Sequence, residues 1–287
     1  MQEKKRGRTR SRWLLPAALV LAGAAWFENF TLSTSTVTAA CAALPEAFSG
    51  LRIVQISDLH GRRFDAESRY LLELVRLQSP DLIALTGDLA DEFTDFSMLP
   101  PLLDGLTALA PTFYVTGNHE WVLSREKREA LFSMLDAAGV VRLQNEYRLL
   151  KKGQASIVLA GVDDPNGPYD QKRPAQLVRE IRQSRGRDAY ILMLSHRNDE
   201  LDLWANMGVQ TVLCGHGHGG IVRLPFVGAV FGTHLDLFPD YTAGLYRKGQ
   251  TSMIVSRGLG GSRKLPLRIG NRPEIVTVIL KAESGKV

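Results

Sequence analysis

The 287 residues suffice to bury a large core, and 45% hydrophobic with 23% charged residues excludes disordered, collagen-like and coiled-coil chains. A pI near 9.3 points first to nucleic acid. Charge placement removes that partner: residues 1–12 carry Lys4, Lys5, Arg6, Arg8, Arg10 and Arg12 against Glu3, and setting these aside from 35 basic and 30 acidic residues leaves 29 of each.

After this basic tail comes Trp13 to Phe27, fifteen residues without a charge, ended by Glu28. Residues 13–30 read as an N-terminal hydrophobic helix that anchors the chain in a membrane. At ~1.5 Å per residue the charge-free run covers about 22 Å, short of the ~30 Å hydrocarbon core. Trp13, Trp26 and Phe27 suit the interface, and Arg12 can snorkel. Three readings stay open: an uncleaved anchor, a cleaved signal peptide, or an interior helix of the folded body. Small residues at Thr38 to Ala42, Cys41 among them, would suit processing but lie more than ten residues past the apolar run. The basic flank keeps the amino terminus in the cytoplasm, so the expected location is the bacterial inner membrane. A span would put the body outside; a helix lying in the interface would leave it inside.

Residues 31–287 read as the catalytic domain. Thr31 to Thr38 has the β-branched content of a strand. Strands are predicted at 52–57, 81–86, 112–116, 155–162, 189–195 and 210–214, with helical spacing at 66–78, 96–109, 124–138, 172–184 and 199–207. Alternating units of this kind imply a largely parallel sheet covered by helices. Beyond Gly219 the pattern turns to short β runs at 244–247, 252–256 and 274–281, which suggests a second sheet packed on the first. Cys41 and Cys214 provide no disulfide framework.

The chemistry concentrates at strand ends. Asp58-Leu59-His60, Gly87-Asp88-Leu89-Ala90-Asp91, Gly117-Asn118-His119-Glu120, Ser195-His196 and Gly215-His216-Gly217-His218 each follow a predicted strand. Side chains at the carboxyl ends of parallel strands converge on one edge. Asp58, Asp88 and Asn118 are spaced by 30 residues, one strand-helix-strand unit, and so present oxygen ligands at that same edge. Carboxylate, amide and imidazole together suit Mn, Fe, Co or Zn better than Ca. Seven ligands exceed one tetrahedral ion and suit a pair of divalent ions about 3.5 Å apart, bridged by a carboxylate.

This motif set, DxH, GDxxD, GNHE, a lone His and GHxH, resembles the calcineurin-like metallophosphoesterases over about residues 50 to 285. The contexts LPEAFSGLRIVQISDLHG, GHGHGG followed by RLP, DYTAGLY and RPEIVTVIL look like its membrane-anchored or exported bacterial branch. The resemblance implies a four-layer αββα sandwich holding two divalent ions (Mn, Zn or Fe). Asp58, His60, Asp88 and His218 would hold the first, and Asp88, Asn118, His196 and His216 the second. A water or hydroxide between the ions would attack phosphorus. His119, oriented by Asp91, would hydrogen-bond the phosphate or protonate the leaving oxygen. The implied substrate is a phosphate ester, carried on a lipid such as UDP-2,3-diacylglucosamine of lipid A synthesis. The alternatives are a broad phosphodiesterase or phosphatase of the cell envelope and, remotely, a non-catalytic membrane scaffold. Gly217 stands where the motif usually has Thr, and Ile221 where the branch often has Gln.

Weaker features remain two-sided. Arg62, Arg63 and Arg197 follow ligand motifs and could clamp a second phosphate or stay as solvated charges. Glu120 supports the histidine or caps a helix. The apolar stretch Leu224 to Phe238 docks acyl chains or packs on the second sheet.

Overall fold

The computed structural model describes residues 8–233, 235–261 and 268–283. A helix forms where the apolar run predicts one and begins inside the basic tail: α1 (Arg8–Phe30), with Pro16 inside it. Nothing packs over Leu14, Leu15, Leu19 and Val20, all exposed. No helix among the described residues is long and apolar enough to cross a membrane. The expected spanning anchor over 13–30 is therefore not supported, because its charge-free stretch is only fifteen residues long.

Beyond α1 the chain runs through β1 (Ser33–Cys41), β2 (Arg52–Ile56), α2 (Arg69–Leu77), β3 (Leu82–Thr86), α3 (Leu99–Leu109), β4 (Thr112–Val115), α4 (Asn118–Val122), α5 (Arg125–Ala137) and β5 (Val141–Arg142). A second series follows: β6 (Glu146–Lys152), β7 (Ala155–Gly161), α6 (Pro174–Arg185), β8 (Ile191–Leu194), α7 (Leu201–Asn206), β9 (Thr211–Cys214), β10 (Val222–Leu224), β11 (Gly228–Phe231), β12 (Gly244–Lys248), β13 (Thr251–Val255) and β14 (Glu274–Ala282).

Two six-stranded sheets result, ordered β1-β14-β2-β3-β4-β5 and β12-β13-β9-β8-β7-β6, with β10-β11 as a separate hairpin. This corrects the expected division of strands. The second sheet does not wait for Gly219: the antiparallel pair β6-β7 already starts it, and β8 and β9 join it in parallel. The strand β14 returns to the first sheet, parallel to β1 and antiparallel to β2. Continuous apolar runs concealed this, because strands buried on both faces read alike in either sheet.

Alternation along each strand builds the layers. On β2, Val54 and Ile56 pack with Leu71, Val75 and Leu103 of the helices, whereas Ile53 faces the other sheet with Leu159 and Leu213. On β8, Leu192 and Leu194 join that central layer, and Ile191 and Met193 turn to Leu177, Ile181 and Trp204 under α6 and α7. Each aliphatic side chain fully buried there contributes about 1.5–3 kcal/mol. Three apolar layers separate four layers of structure, and both sheets bring strand ends to the same edge.

Candidate metal centre

At that edge the first sheet supplies Asp58 and His60 after β2, Asp88 after β3, and Asn118 as the first residue of α4 after β4. The second sheet supplies His196 after β8 and His216 and His218 after β9. Asp58, His60, Asp88, His216 and His218 all have left-handed backbone, with φ between 48° and 65°. A non-glycine residue in that region costs on the order of 1 kcal/mol or more, so five neighbours there form a strained, overdetermined loop set. Backbone bonds between loops hold it: Asp58 N–H donates to Gly87 O (3.0 Å) and His60 N–H to Asp88 O (2.9 Å). Gly117 permits the close approach, because a Cβ there would collide with the Asp88 carboxylate.

Two groups of ligand atoms emerge, Asp58, His60, Asp88 and His218 in one and Asp88, His196 and His216 in the other, each within 4.8 Å. Asp88 belongs to both. Its Oδ2 lies 3.6 Å from His60 Nε2 and 3.2 Å from His196 Nε2, while Oδ1 accepts the His119 N–H at 2.8 Å. The Asn118 amide oxygen lies 3.2 Å from His196 Nε2, beside the second group. The residue set fits cations. Both ring nitrogens of His60 and Nδ1 of His218 are buried without a hydrogen-bond partner. Burial pushes His60 down to about 4 and His218 well below its ordinary value, so both rings are neutral and offer lone pairs. Burial also pushes Asp58 up to about 6, with the Asp88 charge adding to the shift. For Asp88 burial favours the neutral acid, yet the facing imidazoles, His196 first, hold it below the carboxylate range. Lone pairs aimed at buried carboxylates call for positive charge between them.

His119 lies in neither group; its ring stands perpendicular to His60 with centroids 4.7 Å apart. Asp91 approaches His60 rather than His119: its Oδ2 is 3.7 Å from His60 Nδ1, and Nδ1 of His119 has no hydrogen-bond partner. The cause is local, since His60 and Gly61 donate their N–H groups to Asp88 and Leu89 and so run the Asp91 loop alongside His60.

Glu120 does more than either sequence reading assigns it. Fully buried, its carboxylate accepts from Gly117 (2.7 Å), capping α4, and from Asp88 (3.0 Å), Leu89 (2.7 Å) and Ala90 (3.3 Å). Burial and the Asp88 charge push it up to about 7 against these donors. Glu120→Ala would orphan four buried N–H groups. It is expected to lower stability by at least about 3 kcal/mol, measured by denaturant unfolding after chelation, with Glu120→Gln between it and wild type. An unchanged midpoint would show that Glu120 does not hold the loops.

The profile of the calcineurin-like phosphoesterases matches residues 51–220. The chain belongs to that family. Similar proteins include the metallophosphoesterase YkuE of Bacillus subtilis (strain 168), 31% identical over 267 residues, which cover 90% of this chain and 89% of that one. Phosphodiesterase YaeI of Escherichia coli (strain K12) is 31% identical over 234 residues, covering 80% and 82%. Among solved structures, a dimetal phosphatase from Danio rerio aligns with a TM-score of 0.41 at 12% identity, over 74% of this chain and 88% of that one. As a calcineurin-like phosphoesterase, the chain is a metal-dependent phosphoester hydrolase.

The three arginines of this phosphoesterase separate clearly. Arg62 donates to the Asn29 carbonyl and lies over the rings of Phe30 and Phe64, at 5.5 and 5.4 Å. Arg63 pairs with Asp95 (2.6 Å) on the surface. Of the three, Arg197 alone reaches a candidate ligand: it grips the buried Asp164 through Nε (2.6 Å) and one terminal nitrogen (3.0 Å), and its other terminal nitrogen lies 3.1 Å from His216 Nε2. Asp164 was missed by sequence reasoning, although it too follows a strand, β7. Arg268, buried without a carboxylate partner among the described residues, was missed as well and left no signal; burial lowers it to about 9. Gly217 has a local reason: a Cβ there would come within 2.6 Å of the Asn198 amide, which donates to the Tyr241 carbonyl.

Proposed function

We propose that the chain hydrolyses a phosphodiester or pyrophosphate carried on a lipid at the bacterial cytoplasmic membrane, with UDP-2,3-diacylglucosamine as the named candidate. The observation that carries the hydrolytic reading is Asp88, shared by two buried ligand groups. Asp58, His60, Asp88 and His218 would hold one divalent ion, and Asp88, Asn118, His196 and His216 the other. Bound there, the ions supply charge neutralisation for the phosphoryl oxygens and lower the pKa of water for in-line attack. His119, fixed by its amide on Asp88, holds a proton for the leaving oxygen. Arg197, locked on Asp164, orients His216 and presents positive charge toward the phosphate. The lipid part of the reading draws on the uncovered apolar side chains of α1. A second reading, a broad envelope phosphodiesterase, is favoured by the likeness to phosphodiesterase YaeI.

The purified full chain, loaded with Mn, Zn or Fe, tests both against bis(p-nitrophenyl) phosphate and UDP-2,3-diacylglucosamine. The lipid reading expects kcat/KM at least about 100-fold higher for the nucleotide lipid, since remote binding energy raises turnover. Turnover of the soluble diester alone selects the envelope phosphodiesterase. No turnover with any metal overturns both readings and leaves a scaffold.

A further inference from the structure

We infer that the β10-β11 hairpin and the described residues following it, 222–233 and 235–238, are a second apolar seat on an anionic phospholipid bilayer, continuous with α1 and placing the metal centre at the membrane surface. The hairpin forms its own two-stranded ribbon, with Ala229 buried, but its turn and the residues after it are left uncovered. At its turn Phe226 is fully exposed and Val227 58% exposed, and Leu235, Leu237 and Phe238 beyond it are each exposed by more than 60%. A two-stranded ribbon is marginal in water, and apolar surface this concentrated marks a contact.

Four residues weld the hairpin to both α1 and the site. The Asn29 side chain, at the end of α1, exchanges hydrogen bonds with the Arg268 backbone (2.8 and 3.0 Å). Ile269, itself exposed, bridges to Val222 and exchanges backbone bonds with Ile221 (3.2 Å) and Arg223 (2.8 Å). Arg268 and Asn271 donate to the carbonyl of His218, a ligand residue, at 3.3 and 2.9 Å. These bonds tie the end of the helix, the hairpin and the His218 loop together.

Charge selects the occupant. The charge-free run of the helix follows residues 1–12, whose net +5 complements anionic headgroups. Where α1 meets the body, Arg272 lies 4.4 Å over Phe27 and Arg62 lies over Phe30, the pairing of ring and cation that suits a headgroup boundary. No described helix is long and apolar enough to cross the bilayer, so the uncovered apolar side chains of α1 and of the hairpin would together supply the apolar contact. The inference rests on the lipid-linked reading only for the route the substrate takes.

The full chain is tested by co-sedimentation with phosphatidylcholine vesicles with and without 30% phosphatidylglycerol (a composition of about this order suffices to recruit basic segments). Wild type is expected to bind the anionic vesicles. The double variant Phe226→Asp/Phe238→Asp is expected to lose at least about tenfold in partition, while its hydrolysis of bis(p-nitrophenyl) phosphate stays within about twofold of wild type. Should that variant misfold, a spin label on Phe226→Cys reads the same point, because Cys41 and Cys214 are buried. Vesicles are expected to shield the label from a water-soluble relaxant. Unchanged partition, an unshielded label, or a wild-type dimer that dissociates in the variant without loss of vesicle binding overturns the seat. Partition needs no turnover, so loss of the hydrolytic reading and loss of the seat are distinguishable.

Discussion

Asp88→Asn is expected to abolish hydrolysis and to reduce metal content at both positions, from two ions per chain to fewer than one. The variant keeps the side chain's shape and the His119 N–H acceptor but removes the charge that lies 3.6 Å from His60 and 3.2 Å from His196. Two ions separated by a few ångströms repel, and a shared carboxylate is what offsets that repulsion. Losing both the ions and their pull on the phosphoryl oxygens should cost at least about 10³-fold in kcat/KM. Inductively coupled plasma analysis beside steady-state kinetics measures both, with circular dichroism to confirm the fold. Two ions retained in an inactive Asp88→Asn chain would remove Asp88 from the bridging role.

His119→Asn should separate rate from metal. His119 lies outside both ligand groups, so the variant is expected to keep both ions while its rate falls by about 10²–10⁴, the usual range for a lost proton donor. The deficit should shrink for a good leaving group such as p-nitrophenolate and grow for an alkoxide. A deficit independent of the leaving group would assign His119 to phosphate binding instead. Metal loss equal to that of Asp88→Asn would make it a ligand.

The convergence of the candidate ligands was legible because their chemistry and their address coincide. Imidazole and carboxylate at Asp58, Asp88, His196 and His216 follow apolar strands, and parallel strands end on one edge whichever sheet they occupy. For the same reason the sheet assignment was not legible. Leu192 and Leu213 bury on one face while Ile191 and Val212 bury on the other, so a fully apolar run carries no mark of its neighbour. The supporting residues were hidden for a different reason. Glu120 serves backbone N–H groups 30 residues away, and Arg268 serves carbonyl groups of His218 and Gly260 across the fold, contacts set by tertiary placement and not by spacing. Asp91 shows the limit of motif logic: it lies in the loop that runs beside His60, and the backbone pairing of the two loops, not the residue type, decides which ring it meets.

The division of the ligands between two sheets has a mechanical consequence. Asp58, His60 and Asp88 ride on one sheet and His196, His216 and His218 on the other, and apolar packing crosses the seam together with bonds such as His216 N–H to Asp58 (3.0 Å), Gln55 to the Cys214 carbonyl (2.8 Å) and the Arg257–Glu274 ion pair (3.0 Å). Metal ions held by both sets of residues would act as rivets through two plates. With them in place, prying the halves apart would require breaking coordination bonds at one end of the seam before any core is exposed. The same chain would therefore be stiffer at this edge when loaded than when stripped, while the buried central layer keeps the two sheets together in either state.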